Sequence, residues 1–233
     1  MIKKFFSRLD IRSIVIFVII GALWNVPIVL HAIYPLKIFV VVMHELSHGV
    51  VAVATGGQIK EIVIDQQQGG YIITTGGSRF WTLMAGYLGS LAWGGLILVL
   101  AARTRLDKLL SILIGVSMIL VSLQYVRNSF GLGFGIAFGV VLGTIGLTLS
   151  ESVNDLILRI IGLTSCLYAI LDIKSDVLDR SHLRSDARML YELTGVPTLT
   201  WGVLWILIAI VGTLFFLYLA GNEKPARADR KQI

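Results

Sequence analysis

Val-Val-Met-His44-Glu45-Leu-Ser-His48-Gly places two histidines and a glutamate in a His-Glu-x-x-His pattern inside an apolar run. On an α-helix, residues i and i+4 share one face, about 6 Å apart along the axis. Two imidazoles so placed can hold one zinc ion. The glutamate between them can then act as general base toward a metal-bound water. Three fixed positions match by chance in roughly one chain of this length per hundred. The apolar setting sharpens the signal, because ionisable groups at membrane depth cost about 2.5–3.5 kcal/mol each and usually mark function.

Catalytic zinc keeps three protein ligands and one open position. Asp172, in Leu167-Tyr-Ala-Ile-Leu-Asp172-Ile, is the first candidate for the third. It sits near the end of an apolar run that crosses in the same direction as the His44–His48 run, so the depths can match. Asp176, one helical turn later, is the alternative, and otherwise a solvated interface charge. Cys166, the single cysteine, lies among apolar neighbours and reads as a packing residue. Asp179 and Asp186 rank lower as ligands. Asp186, in Ser185-Asp186-Ala187, suits capping of an interfacial helix. Asn128, after Arg127, falls at the same face as the histidines. It can hydrogen-bond a substrate carbonyl or oxyanion, or simply end a helix. His31 and His182 read as interfacial residues.

The elements that must position these groups follow from composition. Of 233 residues, 56% are hydrophobic and 15% charged, and mean hydropathy is +0.84. Soluble domains carry about 25% charge, so a water-exposed globule and a disordered chain are both excluded. The apolar runs are continuous rather than alternating, which disfavours a β-barrel. The expectation is an all-α polytopic membrane protein with about 6–7 transmembrane helices and a small β-hairpin after the helix bearing His44 and His48. Spans are expected at 14–33, 36–54, 80–102, 109–126, 132–149, 156–173 and 199–220. The fifth is glycine-rich, which fits either close helix contact or a broken segment. Residues 59–75 carry two β-prone runs around a Gln-rich turn ending in Gly69-Gly70. Residues 174–197 read as an interfacial helix and loop ended by Gly195 and Pro197. One membrane core over 1–220 and a polar tail over 221–233 complete the organisation.

The net charge of +6 does not point to nucleic acid, because the basic residues cluster between apolar runs as membrane anchors. With seven crossings, Lys3, Lys4, Arg8 and Arg12 share a face with Lys60, Arg79, Arg127 and Lys174. Lys37, Arg103, Arg105, Lys108, Arg159 and the tail take the other. The division weakly favours a cytoplasmic N-terminus.

Taken together, these residues resemble the site-2 protease family of intramembrane zinc metalloproteases, in its compact bacterial branch without PDZ or CBS domains. The resemblance rests on the His-Glu-x-x-His span followed by Gly56-Gly57, Ala85-Gly86-Tyr87-Leu88-Gly89, Val126-Arg127-Asn128, Leu171-Asp172 and Ser185-Asp186-Ala187. It covers about residues 36–219. It implies zinc-dependent hydrolysis of peptide bonds within or beside the membrane, with His44 and His48 as ligands, Glu45 as base and Asp172 as the later aspartate. It also implies a bacterial cytoplasmic membrane and a membrane protein or peptide as substrate. The chain departs from better-known members in lacking an Asn-Pro motif and a glycine after Asp172. Substrate unwinding is required, and the hairpin over 59–75 offers a strand edge for it; a plain connector is the other reading. The rival functions are an inactive membrane scaffold that retains a metal site and a small transporter. A transporter would show repeats and ionisable groups along a path; neither is visible here.

Overall fold

The computed structural model describes residues 10–24, 26–179 and 184–221. His182, the basic run Lys3-Lys4-Arg8 and the tail beyond Gly221 lie outside the described residues.

Pro27 sets the first boundary. A residue before proline is pushed out of the helical region, and Val26 is extended at φ −79° and ψ 116°. Helix α1 (Ile11–Leu23) therefore stops early, and α2 runs unbroken over Pro27–Ala54. The expected break between residues 33 and 36 is corrected: Pro35 lies inside α2. Lys37, expected as a charge at the membrane face, is buried, with its ammonium 4.4 Å above the Trp24 ring. The ring face supplies the cation with a partner that a bare apolar site would lack.

At 13 residues, α1 is too short to cross a hydrocarbon core about 30 Å thick. Among the described residues, six other helices are long and apolar enough. They are α2, α3 (Arg79–Arg103), α4 (Asp107–Tyr125), α5 (Ser129–Thr148), α6 (Glu151–Lys174) and α8 (Thr198–Ala220). A π-helical turn, Ser175–Asp179, extends α6, and a short helix α7, Asp186–Thr194, precedes α8. The protein is thus an all-helical membrane protein with one small antiparallel sheet, β1 (Gln58–Ile64) and β2 (Gly70–Thr75).

Ion pairs hold α1 in place. Arg159 of α6 bonds Asp155, Asp10 and Ser13, and Arg12 reaches Asp155 at 2.6 Å. The Asp10 amide also donates to the Leu217 carbonyl at the end of α8. The start of α1 therefore lies at the first turns of α6, whereas Asp172 and Asp176 lie at its far end. The seven-crossing charge division is corrected here: Arg12 sits at the end of the bundle opposite Lys174.

Glycines bring the helices together. The glycine-rich segment is one continuous helix, α5, and it packs on α4 through backbone contact. A Cβ at Gly115 would meet the Gly139 carbonyl at 2.5 Å. Between α3 and α6, a Cβ at Gly94 would meet the Gly162 carbonyl at 2.7 Å.

The hairpin inserts among the helices. Ile62 and Ile64 are fully buried in a cluster with Ile38, Val42 and Met118. Its turn is closed by Asp65, whose carboxylate accepts from the amides of Gln67 and Gly69. Residues 126–128 cover the outer edge of β1. The Arg127 amide donates to the Ile62 carbonyl at 3.1 Å. The Asn128 side chain donates to the Ile64 carbonyl at 2.7 Å and accepts from the Ile64 amide at 3.1 Å. Among the described residues, no strand pairs with the outer edge of β2.

Candidate metal centre

His44 and His48 project from α2 with ring centroids 4.8 Å apart. Their neighbour is α3, and the contact depends on Gly86. A Cβ at that position would sit 2.6 Å from His48 Nε2 and closer still to His44 Nε2. His48 Nδ1 donates to the Thr82 carbonyl at 2.6 Å, which leaves Nε2 as the acceptor nitrogen. Tyr87 closes the other side, its ring edge-to-face with His44 at 4.9 Å.

The third group is Asp186. Its Oδ2 lies 3.1 Å from His44 Nε2 and 3.2 Å from His48 Nε2, and the three donor atoms lie within 4.8 Å of one another. Donors bound to a tetrahedral zinc ion at about 2.0–2.1 Å stand about 3.3 Å apart, which the two carboxylate–imidazole distances match. The chemistry fits too. Two imidazole nitrogens and a carboxylate oxygen converge in a buried place, and a cation satisfies all three.

Asp186 reaches the histidines because α7 begins there. Ser185 takes the capping role, its hydroxyl accepting from the Arg188 amide, so the expected Asp186 cap is replaced by a Ser185 cap. Gly195, at φ 74°, ends the helix. Burial opposes the charge on Asp186, but His48 and His44 outweigh it and hold the carboxyl well below the usual carboxylate range.

Asp172 and Asp176, the residues expected as third ligand, line the same cavity without joining this group. Asp176 accepts from the Tyr87 hydroxyl at 2.5 Å. Cys166 is buried in an apolar cluster with Leu91 and Trp205. Asn128 is turned to β1, and it is not among the cavity residues. His31 is exposed on α2. Asp186, Thr82, Gly86 and Tyr87 are the groups that sequence reasoning underrated or missed. Ser185-Asp186-Ala187, read as a cap, was the available signal for Asp186.

The cavity measures about 750 Å³ and is also lined by Glu45, by β2 from Gly70 to Thr74, and by Arg79 and Arg184. Glu45 is buried, and a Cβ on Gly70 would lie 3.2 Å from its Oε1. Glu45 and the first residue of β2 thus meet in the cavity.

Two substitutions probe this arrangement. Gly86→Ala crowds both Nε2 atoms and is expected to weaken zinc binding about 10–100-fold, measured by competition with a chelating dye; unchanged affinity contradicts the assignment. Asn128→Ala leaves the Ile64 amide and carbonyl without their partner, a cost of about 1–3 kcal/mol for each buried group. Faster hydrogen exchange over 62–64 with zinc binding retained is expected. Loss of zinc would instead put Asn128 at the metal.

No curated protein and no solved structure matches the chain at a significant level. The sequence model of the family described as Peptidase M50B-like matches residues 13–216. The chain belongs to that family of membrane metalloproteases, in agreement with its site-2 protease motifs.

Proposed function

We propose that the protein is an intramembrane zinc metalloprotease that hydrolyses peptide bonds of membrane-embedded or membrane-adjacent substrates. The observation that carries this reading is the meeting of His44, His48 and Asp186 with Glu45 beside an unpaired strand edge. A zinc ion held by those three residues would supply a Lewis acid and lower the pKa of water bound to it. Glu45 takes the proton from the attacking water and returns it to the leaving amide nitrogen. The buried position of Glu45 keeps that proton from bulk solvent.

A transmembrane helix hides its carbonyls in its own hydrogen bonds, so the substrate must open before it can be cut. The free edge of β2 offers backbone donors and acceptors to an opened segment, which then adds as a strand. Asn128 supports this indirectly by locking the opposite edge of the hairpin. The bilayer we assign is a bacterial cytoplasmic membrane, with the N-terminus on the cytoplasmic side, since Arg12 and Arg159 share one end of the bundle with Arg103, Arg105 and Lys108. The test is cleavage of a single-span substrate with a helix-breaking Gly-Pro in vesicles, read by mass spectrometry of the products. New termini in that opened segment are expected. A zinc-loaded protein that cuts no membrane substrate would favour the scaffold reading.

A further inference from the structure

The charges in the catalytic cavity are sorted by depth. Glu45, Asp172, Asp176 and Asp186 are buried or half-buried, while Arg79 and Arg184 are exposed. Arg79 is the first residue of α3, just after Gly76 and Gly77. Arg184 stands two residues before Asp186. Among the described residues, neither arginine forms an ion pair or hydrogen bond. Each cation is thus available to an incoming group, at the rim of a cavity whose depth is acidic.

The strand gives these charges a register. Glu45 meets β2 at its first residue, Gly70. From there β2 runs toward Thr74 and Gly76, which line the cavity together with Arg79. A strand advances about 3.4 Å per residue, so the four steps from Gly70 to Thr74 cover about 14 Å. A peptide added along β2 with its scissile bond at Glu45 would bring the residue about four to six positions away toward Arg79, with Arg184 also lining the cavity.

We propose that Arg79 and Arg184 select substrates bearing an acidic side chain on the aqueous side of the scissile bond, about four to six residues from it. This rests on the protease reading given above. An acidic residue at the rim also fixes how far the substrate slides along β2.

The test uses full-length protein in phosphatidylcholine vesicles and a set of single-span peptides with a Gly-Pro break. Asp or Lys is placed at each position from two to eight residues on the aqueous side of the cut. The readout is the Asp-to-Lys ratio of kcat/KM within each protein, which cancels differences in folded fraction. Wild type is expected to favour Asp about tenfold or more at positions four to six only. Arg79→Glu, and Arg79→Glu with Arg184→Glu, are expected to lower the ratio stepwise and invert it in the double variant. A ratio that is flat along the peptide, or equal in wild type and double variant, overturns the proposal while Glu45-dependent cleavage leaves the protease reading standing. Rates that rise with added phosphatidylglycerol at a constant ratio overturn it in favour of lipid headgroups. No cleavage of any peptide by zinc-loaded protein defeats both readings.

Discussion

Glu45→Gln is expected to keep its zinc and lose cleavage by about 10²–10⁴-fold, the range of a lost general base. The two side chains have nearly the same shape, but the amide cannot accept the water's proton. The metal is retained because Glu45 is not part of the ligand group formed by His44, His48 and Asp186. Glu45 is buried beside Gly70, with no second carboxylate on its own turn to replace it. Product formation and zinc content, measured on the same preparation, give the two halves of the result. Cleavage at the wild-type rate would remove Glu45 from the mechanism. Loss of zinc with loss of activity would make it a ligand instead.

The second large effect separates the aspartates. Asp186→Ala removes the only carboxylate in contact with both imidazole Nε2 atoms among the described residues. Zinc affinity is expected to fall by more than about 100-fold, beyond the usual cost of losing an outer partner. Asp172→Ala and Asp176→Ala are expected to keep one zinc per chain. Asp176→Ala frees the Tyr87 hydroxyl, so its effect falls on turnover rather than on metal content. Metal analysis of the three variants beside wild type decides the matter. Zinc lost from Asp172→Ala and kept by Asp186→Ala would reverse the assignment.

The membrane character, the hairpin and the pair of histidines were legible in the sequence for simple reasons. Continuous apolar runs have no soluble alternative, and i, i+4 spacing fixes two side chains on one helical face without tertiary help. The first boundary was misread because two prolines compete there. Pro27 breaks the chain by restricting Val26, whereas Pro35 is accommodated within α2. Lys37 then read as an anchoring charge at a membrane face, because its ring partner, Trp24, is brought to it only by the fold. Asp186 was ranked low for a similar reason. Depth matching along spans favours residues inside spans, and Asp172 is one. Asp186 comes from the segment after α6, which folds back over the cavity. Asn128 was placed at the right face, but its hydrogen bonds go to Ile64 of β1. No pattern along the sequence encodes that pairing.

In the mechanism we propose, one zinc ion at His44, His48 and Asp186 drives peptide hydrolysis. The most direct measurement is cleavage of the single-span Gly-Pro peptide by full-length protein stripped of metal with a chelator and then titrated with zinc. Activity is expected to vanish on stripping and to return linearly, reaching its plateau at one zinc per chain. Cleavage that persists in zinc-free protein, or that fails to return at full zinc occupancy, would rule out zinc-driven hydrolysis at this site.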